Sequence, residues 1–210
     1  MKFFSHKNLF KLRKIFLQEN AEKDFVCIPN DSKILISVPH AVSQVRLGKH
    51  KHEEIGSVPV GLTLAKELNS NLIVKTKNNN DDANFDEVSD YKKKIEYLIS
   101  ACRVKYIFDI HGLRKSCDCD INLGINFGNN INSDIDLFNN LEQELIRAGF
   151  KVSIDNPFKA AERTISGYFA KNFNVWTIQM EINCSITNES KNSSKFNCLL
   201  STLIKVLKNL

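Results

Sequence analysis

The chain contains 210 residues, of which 42% are hydrophobic and 25% are charged, and its formal net charge is +5. This length predicts one domain with a sizeable core, and the composition excludes a collagen, a disulfide-rich miniprotein and a disordered chain. No apolar run approaches the ~18 residues that a membrane-spanning helix requires, so no membrane span is expected. The isoelectric point of about 8.8 falls short of the value above ~9 that is typical of a nucleic-acid-binding domain, and the lysines are spread widely, which argues against nucleic-acid binding. Six cysteines without a secretory signal are typical of reduced thiols, and we therefore expect a soluble, cytoplasmic protein.

The N-terminal segment differs from the rest in its charge. Residues 1–18 hold five basic side chains and no acidic one, with aromatic and aliphatic residues at helical spacing among them. We interpret residues 1–30 as a basic, amphipathic helical extension, and residues 31–210 as the main α/β domain. The helix would either pack its apolar face on that domain, which is the interpretation we favour, or lie on a membrane surface.

Strands and helices alternate along the main domain. The predicted strands, all short apolar or β-branched runs, are 33–38, 72–75, 105–110, 121–125, 152–154 and 175–182. The predicted helices are 58–68, with Ser57 as its N-cap, 91–103, 134–147 and 195–207. This alternation predicts a single-domain α/β fold with a mostly parallel or mixed central sheet and helices on both faces. In such a sheet, functional residues gather at the carboxyl ends of the strands.

Two histidines directly follow predicted strands: His40 follows the first strand and His111 the third. Both would project from the carboxyl edge of one sheet, and imidazole is a common ligand of zinc. A catalytic zinc site needs three protein ligands, and the candidates for the third are His50, His52 and Glu54. The two histidines lie in a lysine-rich stretch that favours solvation. Glu54 would complete a two-histidine, one-carboxylate site, or alternatively would compensate the charge of a helix N-terminus.

Two further charged residues are candidates for catalysis and substrate binding. Glu181 lies near the end of an apolar strand, where a carboxylate is costly to bury unless it is paired or functional. At that position it could act as general base towards a metal-activated water. Arg163 lies in a stretch without clear helix or strand period, and its guanidinium could clamp a substrate carboxylate. Ordinary ion pairing at Glu181 and a surface position for Arg163 are the alternatives.

The order of several short motifs resembles that of a known family. The motifs are Val38-Pro-His40, Glu54 before a helix, Asp82-Ala-Asn84, Asp109-Ile-His111-Gly112, Arg163 before Ser-Gly-Tyr, and Gln179-Met-Glu181-Ile. Over residues 33–185 this order resembles the N-formylglutamate amidohydrolase family, which is similar to the zinc carboxypeptidase and aspartoacylase class of metallohydrolases. The fourth and last motifs, around His111 and Glu181, are the most specific.

The resemblance implies a role for each matched position. It implies one Zn²⁺ per chain on His40, Glu54 and His111, with Glu53 as the alternative carboxylate. Glu181 and Arg163 would be the catalytic residues, Glu181 as general base and acid. The substrate-binding residues would be Arg163 and Asn84. Apart from the resemblance, Arg46 is a further candidate for substrate binding, and Asp109, two residues before His111, would share its face if the strand extends that far and could support it from behind. The expected substrate is an N-acyl amino acid or a small peptide that bears a carboxylate.

Other functions remain open at this point. The same site would suit a metallo-carboxypeptidase or a glutamyl-peptide hydrolase, and the scaffold would suit a non-catalytic protein that binds an acidic ligand. The joint presence of two histidines and two acids at the matched positions favours an enzyme. Cys117-x-Cys119 has a shorter spacing than the cysteine pairs of zinc ribbons and is a weak candidate for a thiolate site. The sequence leaves the oligomeric state open.

Overall fold

A computed structural model describes residues 6–131, 134–187 and 193–210. Its centre is a seven-stranded sheet in the order β1-β5-β2-β6-β9-β7-β8, and a short hairpin, β3-β4, lies beside it. The strands are β1 (Phe25–Ile28), β2 (Ile34–Val38), β3 (Gln44–Arg46), β4 (Lys49–Lys51), β5 (Asn71–Lys75), β6 (Tyr106–Leu113), β7 (Ile121–Gly124), β8 (Val152–Ile154) and β9 (Trp176–Asn183). The helices are α1 (His6–Glu19), α2 (Ser57–Leu68), α3 (Asp90–Ala101), α4 (Ile135–Arg147), α5 (Ile165–Phe173), α6 (Cys184–Thr187) and α7 (Ser193–Leu207).

The sheet is mixed, with a parallel centre and antiparallel pairs towards its edges. Strands β5, β2, β6 and β9 run parallel, and every residue of β2, β5 and β9 is buried. Burial on both faces explains why these strands are continuous apolar or β-branched runs in the sequence. β1 pairs antiparallel with β5, and β7 pairs antiparallel with β9. The predicted α/β class with a mostly parallel or mixed sheet is confirmed.

Helices cover both faces of the sheet. On one face, apolar side chains of α2, α4 and α7 pack on alternate residues of the strands, such as Ile36 and Phe108. On the other face, α3 and α5 pack on the intervening residues, such as Leu35 and Ile107. Because side chains alternate along a strand, residues 37, 109 and 111 share the face that α3 and α5 cover.

The N-terminal residues contribute to the same core. Phe16 and Leu17 of α1 pack against the cluster under α2 and α7, which is the packing that the sequence favours. β1 forms an edge of the main sheet, so the predicted boundary at residue 30 falls between two strands of that sheet. Among the described residues, no helix is long and apolar enough to cross a bilayer.

Three local features differ from the sequence predictions. β6 continues to Leu113, so His111 lies within the strand and not after it. The strand extends because all eight of its residues pair with β9. The residue at the N-cap position of α2 is Gly56; Ser57 is the first helical residue, and its hydroxyl donates to the main-chain oxygen of Glu54 instead of capping the helix. The nine-residue helix α5, β1 and the β3-β4 hairpin were not predicted.

Candidate metal centre

Three side chains from separate parts of the chain converge at the carboxyl ends of β2 and β6. His40 lies in the turn after β2, Glu54 lies in the loop before α2, and His111 belongs to β6. Glu54 lies between the two imidazoles: His40 Nδ1 is 2.7 Å from Oε1, and His111 Nδ1 is 3.1 Å from Oε2. One possible ligand atom from each residue lies within 4.8 Å of the others. The two ring centroids are 4.7 Å apart, in an edge-to-face arrangement.

Main-chain hydrogen bonds fix the position of Glu54. Its N–H donates to the oxygen of His40 at 2.9 Å, and its own oxygen accepts from the N–H of Ser57 at 3.0 Å. The N–H of Gly112 donates to Oε2 of Glu54 at 2.9 Å. A Cβ at Gly112 would lie only 3.0 Å from the Cβ of Glu54, so glycine allows this close approach. The loop therefore delivers Glu54, and not the adjacent Glu53, to the two histidines.

In each histidine, the ring nitrogen that points away from Glu54, Nε2, faces a second carboxylate. His40 Nε2 is 3.0 Å from Asp82 Oδ1, and His111 Nε2 is 3.0 Å from Asp109 Oδ2. Both aspartates are fully buried. An aspartate that accepts the Nε2 proton leaves Nδ1 as the nitrogen that can release its proton and present a lone pair to a metal, which is the usual support for a metal-ligating histidine. The predicted supporting role of Asp109 thus agrees with its position.

The charges around this cluster favour the protonated form of both imidazoles and the ionised form of Glu54. Burial by itself lowers the pKa of His40, but the charge of Glu54 and hydrogen bonds to Asp82 and Glu54 outweigh it and raise that pKa to about 9. Burial acts in the same way on His111, and the charges of Asp109 and Glu54 raise its pKa well above the ordinary value. Burial would raise the pKa of Glu54, yet the two imidazolium charges hold it well below its usual range. The site thus attracts two protons, the same charge that a divalent cation carries.

The donor set therefore fits a divalent metal. Two imidazole nitrogens and one carboxylate oxygen are the protein ligands of the two-histidine, one-glutamate class of catalytic zinc site, which keeps its remaining position open. Among the described residues, His40, Glu54 and His111 are the group of histidine, cysteine, aspartate or glutamate side chains whose ligand atoms converge in this way. The exposed His50 and His52, the alternatives for the third ligand, and the Cys117-x-Cys119 pair do not belong to it.

Glu181 lies next to this group on the neighbouring strand. It is the register partner of His111 on β9, so both side chains are on the face that α3 and α5 cover. The side chain of Gln179, two residues earlier on the same face, donates to Oε1 of Glu181 at 2.8 Å. Burial raises the pKa of Glu181 to about 7, although the charges of the two imidazoles act in the opposite direction. The carboxyl can therefore exchange a proton near neutral pH.

The predicted substrate-binding residues lie around Phe85. The guanidinium carbons of Arg46 and Arg163 lie 4.8 and 4.9 Å from the centre of its ring. Arg46 also donates from Nε to Asp82 Oδ2 at 2.7 Å, which places it behind His40. Asn84 is buried, and its Oδ1 accepts from the N–H of Ile165 at the start of α5. Two arginines thus contact one aromatic ring, and the hydrogen bond of Asn84 connects the loop that contains Phe85 to the start of α5.

Asp82 and Gln179 were not singled out as functional residues by the sequence. A signal for Gln179 was present, because Gln179-x-Glu181 and Asp109-x-His111 place polar side chains two apart on buried strands. Such a pattern indicates a polar patch on one face of the sheet. For Asp82 the resemblance supplied only a matched motif. Its bond to His40 joins residues 42 positions apart, and no local sequence pattern indicates such a bond.

Comparisons with known proteins support the fold. No family model matches the chain, and no curated protein matches it in sequence. The structure is similar to a gene product of Agrobacterium tumefaciens, with a TM-score of 0.66 and 10% identity over 94% of this chain and 97% of that one. It is also similar to N-formylglutamate amidohydrolase from Ralstonia eutropha JMP134, with a TM-score of 0.61 and 12% identity over 89% and 96% of the two chains.

A third similar structure is a bacteriophage poly-gamma-glutamate hydrolase, with a TM-score of 0.51 and 13% identity over 93% of each chain. Two of these three neighbours are hydrolases by name. Identities of 10–13% show a shared fold and nothing finer. The chain therefore has the α/β fold of this group of hydrolases, with a histidine–glutamate–histidine cluster that could hold a metal ion at the carboxyl ends of its central strands.

Proposed function

We propose that this chain is a zinc-dependent hydrolase that cleaves an amide bond in a carboxylate-bearing substrate. The observation that carries the proposal is the placement of Glu181 in register with His111, beside a cluster of two imidazoles and one carboxylate. Such a cluster supplies three protein ligands, and a buried carboxyl next to it supplies a group that can transfer protons.

Each residue has a distinct task in the proposed reaction. His40, Glu54 and His111 would hold one Zn²⁺, which when bound would acidify a water molecule and polarise the amide carbonyl. Glu181 would take the proton of the attacking water at its carboxylate and deliver it to the nitrogen of the leaving amine. A pKa of about 7 suits both transfers, since a catalytic group works best when its pKa is close to the working pH. The side chain of Gln179 would orient the carboxylate by its hydrogen bond to Oε1.

The two arginines near Phe85 would bind the substrate carboxylate. Arg163 is exposed and would form a bidentate pair with it, while the half-buried Arg46 would add charge from the side of His40. Asn84 would complete the pocket from the loop that follows Asp82. An N-acyl amino acid such as N-formylglutamate, or a small peptide, has the required amide and carboxylate. We place the protein in the cytoplasm, where its free cysteines would stay reduced.

A second candidate reaction uses the same residues on a longer substrate. The fold is shared with a hydrolase of poly-gamma-glutamate, and a glutamyl peptide offers the same amide and carboxylate chemistry as an acylamino acid. A carboxypeptidase reaction would equally use an arginine clamp. The two reactions are separated by assay of acylamino acids beside glutamyl peptides and ordinary dipeptides.

The first test is the metal content of the purified protein. We expect about one zinc per chain in the wild type and its loss in His111→Ala, because two remaining ligands are too few for a stable site. The matched control is His50→Ala, which removes an exposed histidine outside the cluster and should keep the metal. Absence of zinc after reconstitution of the wild type would contradict the proposal.

The second test concerns Glu181. The variant Glu181→Gln keeps the size of the side chain and removes the proton acceptor, so we expect normal zinc content with a loss of turnover of about 10²–10⁴-fold. Wild-type rates of amide hydrolysis in this variant, with its metal content verified, would rule out the role of Glu181 as base.

A further inference from the structure

A chain of buried hydrogen bonds extends from His111 away from the cluster. His111 Nε2 meets Asp109 Oδ2 at 3.0 Å, and the hydroxyl of Ser37 donates to the other oxygen, Oδ1, at 2.8 Å. Ser37 Oγ in turn lies 3.1 Å from the hydroxyl of Tyr91. These residues are 0–1% exposed, so water does not compete for any of these bonds.

The sheet register and one helix build this chain. Ser37 on β2 is the register partner of Asp109 on β6, which places both side chains side by side on the same face. Tyr91 comes from the first turn of α3 and reaches down onto β2, where its hydroxyl accepts from the N–H of Val38 at 3.0 Å. The same hydroxyl donates to the main-chain oxygen of Ile73 on β5 at 3.0 Å. Three elements of the fold, α3, β2 and β5, thus meet at the Tyr91 end of this chain of hydrogen bonds.

The number of available protons fixes the direction of the bonds. Carboxylate oxygens accept, so His111 Nε2–H and the Ser37 hydroxyl are both donors to Asp109. The single proton of Ser37 is then used, and its contact with Tyr91 leaves Ser37 as the acceptor. Tyr91 has one proton, which its hydroxyl shares between the oxygen of Ile73 at 3.0 Å and Ser37 Oγ at 3.1 Å, so the bond from Tyr91 to Ser37 is weaker than the bond from Ser37 to Asp109. Each member therefore holds the next in one orientation, and the Nδ1 lone pair of His111 is directed at the metal position.

The equivalent support behind His40 is built differently. Asp82 accepts from the guanidinium of Arg46, which is 29% exposed, and from the main-chain N–H groups of Asn84 and Phe85. One histidine is thus backed by a carboxylate with a cationic partner near solvent. The other is backed by a carboxylate whose side-chain partner, besides the histidine itself, is a neutral hydroxyl in the core.

We infer that Ser37 and Tyr91 are positioning residues that set the metal affinity of the site by orienting Asp109 and, through it, His111. This inference rests on the proposed zinc site. Partners of ligating residues contribute to affinity because they fix the orientation of the ring and raise its basicity as a ligand. The hydroxyl of Ser37 acts on the free oxygen of Asp109, and the hydroxyl of Tyr91 acts on Ser37.

The test is competition for zinc between the full-length protein and a chelator at fixed pH. We expect Ser37→Ala to raise the zinc dissociation constant about tenfold, the lower end of the range for outer partners of metal ligands. Tyr91→Phe keeps the ring and should raise it by a smaller factor. If the two act in series, Tyr91→Phe adds almost nothing in a Ser37→Ala background, since the bond that it would break is already gone.

A matched control separates this effect from general loss of packing. Thr177 on β9 is fully buried, and its hydroxyl donates to the main-chain oxygen of Ser166, outside the chain of bonds to His111. Thr177→Val should therefore leave the zinc dissociation constant unchanged. Imidazole nitrogen and proton shifts in NMR spectra give a second readout: Ser37→Ala should move the Nε2–H signal of His111 and leave that of His40 in place.

The outcomes separate this inference from the proposed function. If wild-type protein binds no zinc, the proposed function fails and the inference fails with it. If the wild type binds zinc and Asp109→Asn weakens it, while Ser37→Ala and Tyr91→Phe stay within about twofold of the wild type, only the inference is overturned. Equal weakening by Thr177→Val would also overturn it, because the effect would then belong to any buried hydroxyl of the sheet.

Discussion

Zinc binding by this protein should depend steeply on pH at neutral and mildly alkaline values. The two imidazoles of the cluster have raised pKa values, about 9 for His40 and well above the ordinary value for His111, because Glu54 and the aspartates behind them outweigh the effect of burial. A pKa of about 9 means that the His40 ring is protonated in the folded, metal-free protein at pH 7, and the raised pKa of His111 favours its protonated form as well. Zinc needs the Nδ1 lone pairs, so it must displace those protons, and binding weakens as the pH falls.

The size of the effect follows from these values. At pH 7, which is about two units below the pKa of His40, removal of its proton costs about 2.7 kcal/mol, or about a hundredfold in affinity. His111 acts in the same direction. Release of the His40 proton alone lowers the dissociation constant by about tenfold per pH unit between pH 7 and 8, where an unperturbed histidine would give almost no change.

The assay is chelator competition from pH 6.5 to 9, corrected for the protonation of the chelator. Calorimetric titration in two buffers with different ionisation enthalpies then counts the protons released for each zinc bound. We expect about one from His40 at pH 7, with any proton released by His111 adding to it. A dissociation constant that stays level between pH 7 and 8.5 would refute the argument, because the rings would then already be neutral in the free site.

Three further changes test other parts of the structure. Gly112→Ala would push its methyl group against the side chain of Glu54, which must move by a few tenths of an ångström; we expect zinc affinity to fall about tenfold with an unchanged circular dichroism spectrum. Glu181→Gln should raise the free energy of unfolding of the metal-free protein, measured in urea at pH 8, by up to about 3 kcal/mol, because a carboxyl whose folded pKa is raised to about 7 destabilises the fold once it ionises. Equal midpoints of urea unfolding for the variant and the wild type at pH 8, or the same gain at pH 4, would contradict this. Lys92 donates from Nζ to the main-chain oxygens of Asp86 and Arg163, at 2.6 and 2.9 Å, so Lys92→Met should lower the free energy of unfolding by about 2 kcal/mol and speed amide hydrogen exchange around Arg163. Exchange as slow as in the wild type would show that Lys92 does not hold this loop.

The sequence predicts the centre of the fold well because burial leaves a simple pattern there. β2 and β6 are parallel neighbours, and their apolar runs are visible without any knowledge of tertiary contacts. Since the carboxyl ends of parallel neighbours meet at one edge of a sheet, His40 and His111 could be expected to lie close together. The structure brings them within reach of one carboxylate.

The end of β6 shows where this reasoning is incomplete. The sequence predicts that the strand ends at residue 110, because polar His111 and Gly112, a turn residue, follow it, yet pairing with β9 continues to Leu113. A buried strand can carry polar residues on one face when those residues bond to each other, and hydrophobicity along the sequence does not reveal such bonds. For the same reason the contact between Asp82 and His40 was not foreseen.

The helix α5 was missed for a different reason. Its nine residues bury Ile165, Ser166, Gly167 and Phe169, a set that includes two small residues and gives no clear apolar period. The helix is held instead by its ends: Thr164 caps it, and Asn84 accepts from its first N–H. The bond to Asn84 joins residues 81 positions apart, and a local pattern carries no trace of it.

The face of the sheet under α3 and α5 changes from apolar to polar side chains along its strands, and this change links folding stability to the proposed function. On β9 the residues on this face run from Val175 through Thr177 and Gln179 to Glu181, and all of them are buried. The Oε1 atom of Gln179 has no hydrogen-bond partner among the described residues, and Glu181 is held at a raised pKa. Groups of this kind cost free energy in the folded state, since each loses water without full compensation. A ligand that binds the folded site and not the unfolded chain offsets that cost by mass action. Under the proposed function, the residues at the polar end of this sheet therefore lower the stability of the metal-free fold because they serve the reaction. Metal binding should restore part of that stability.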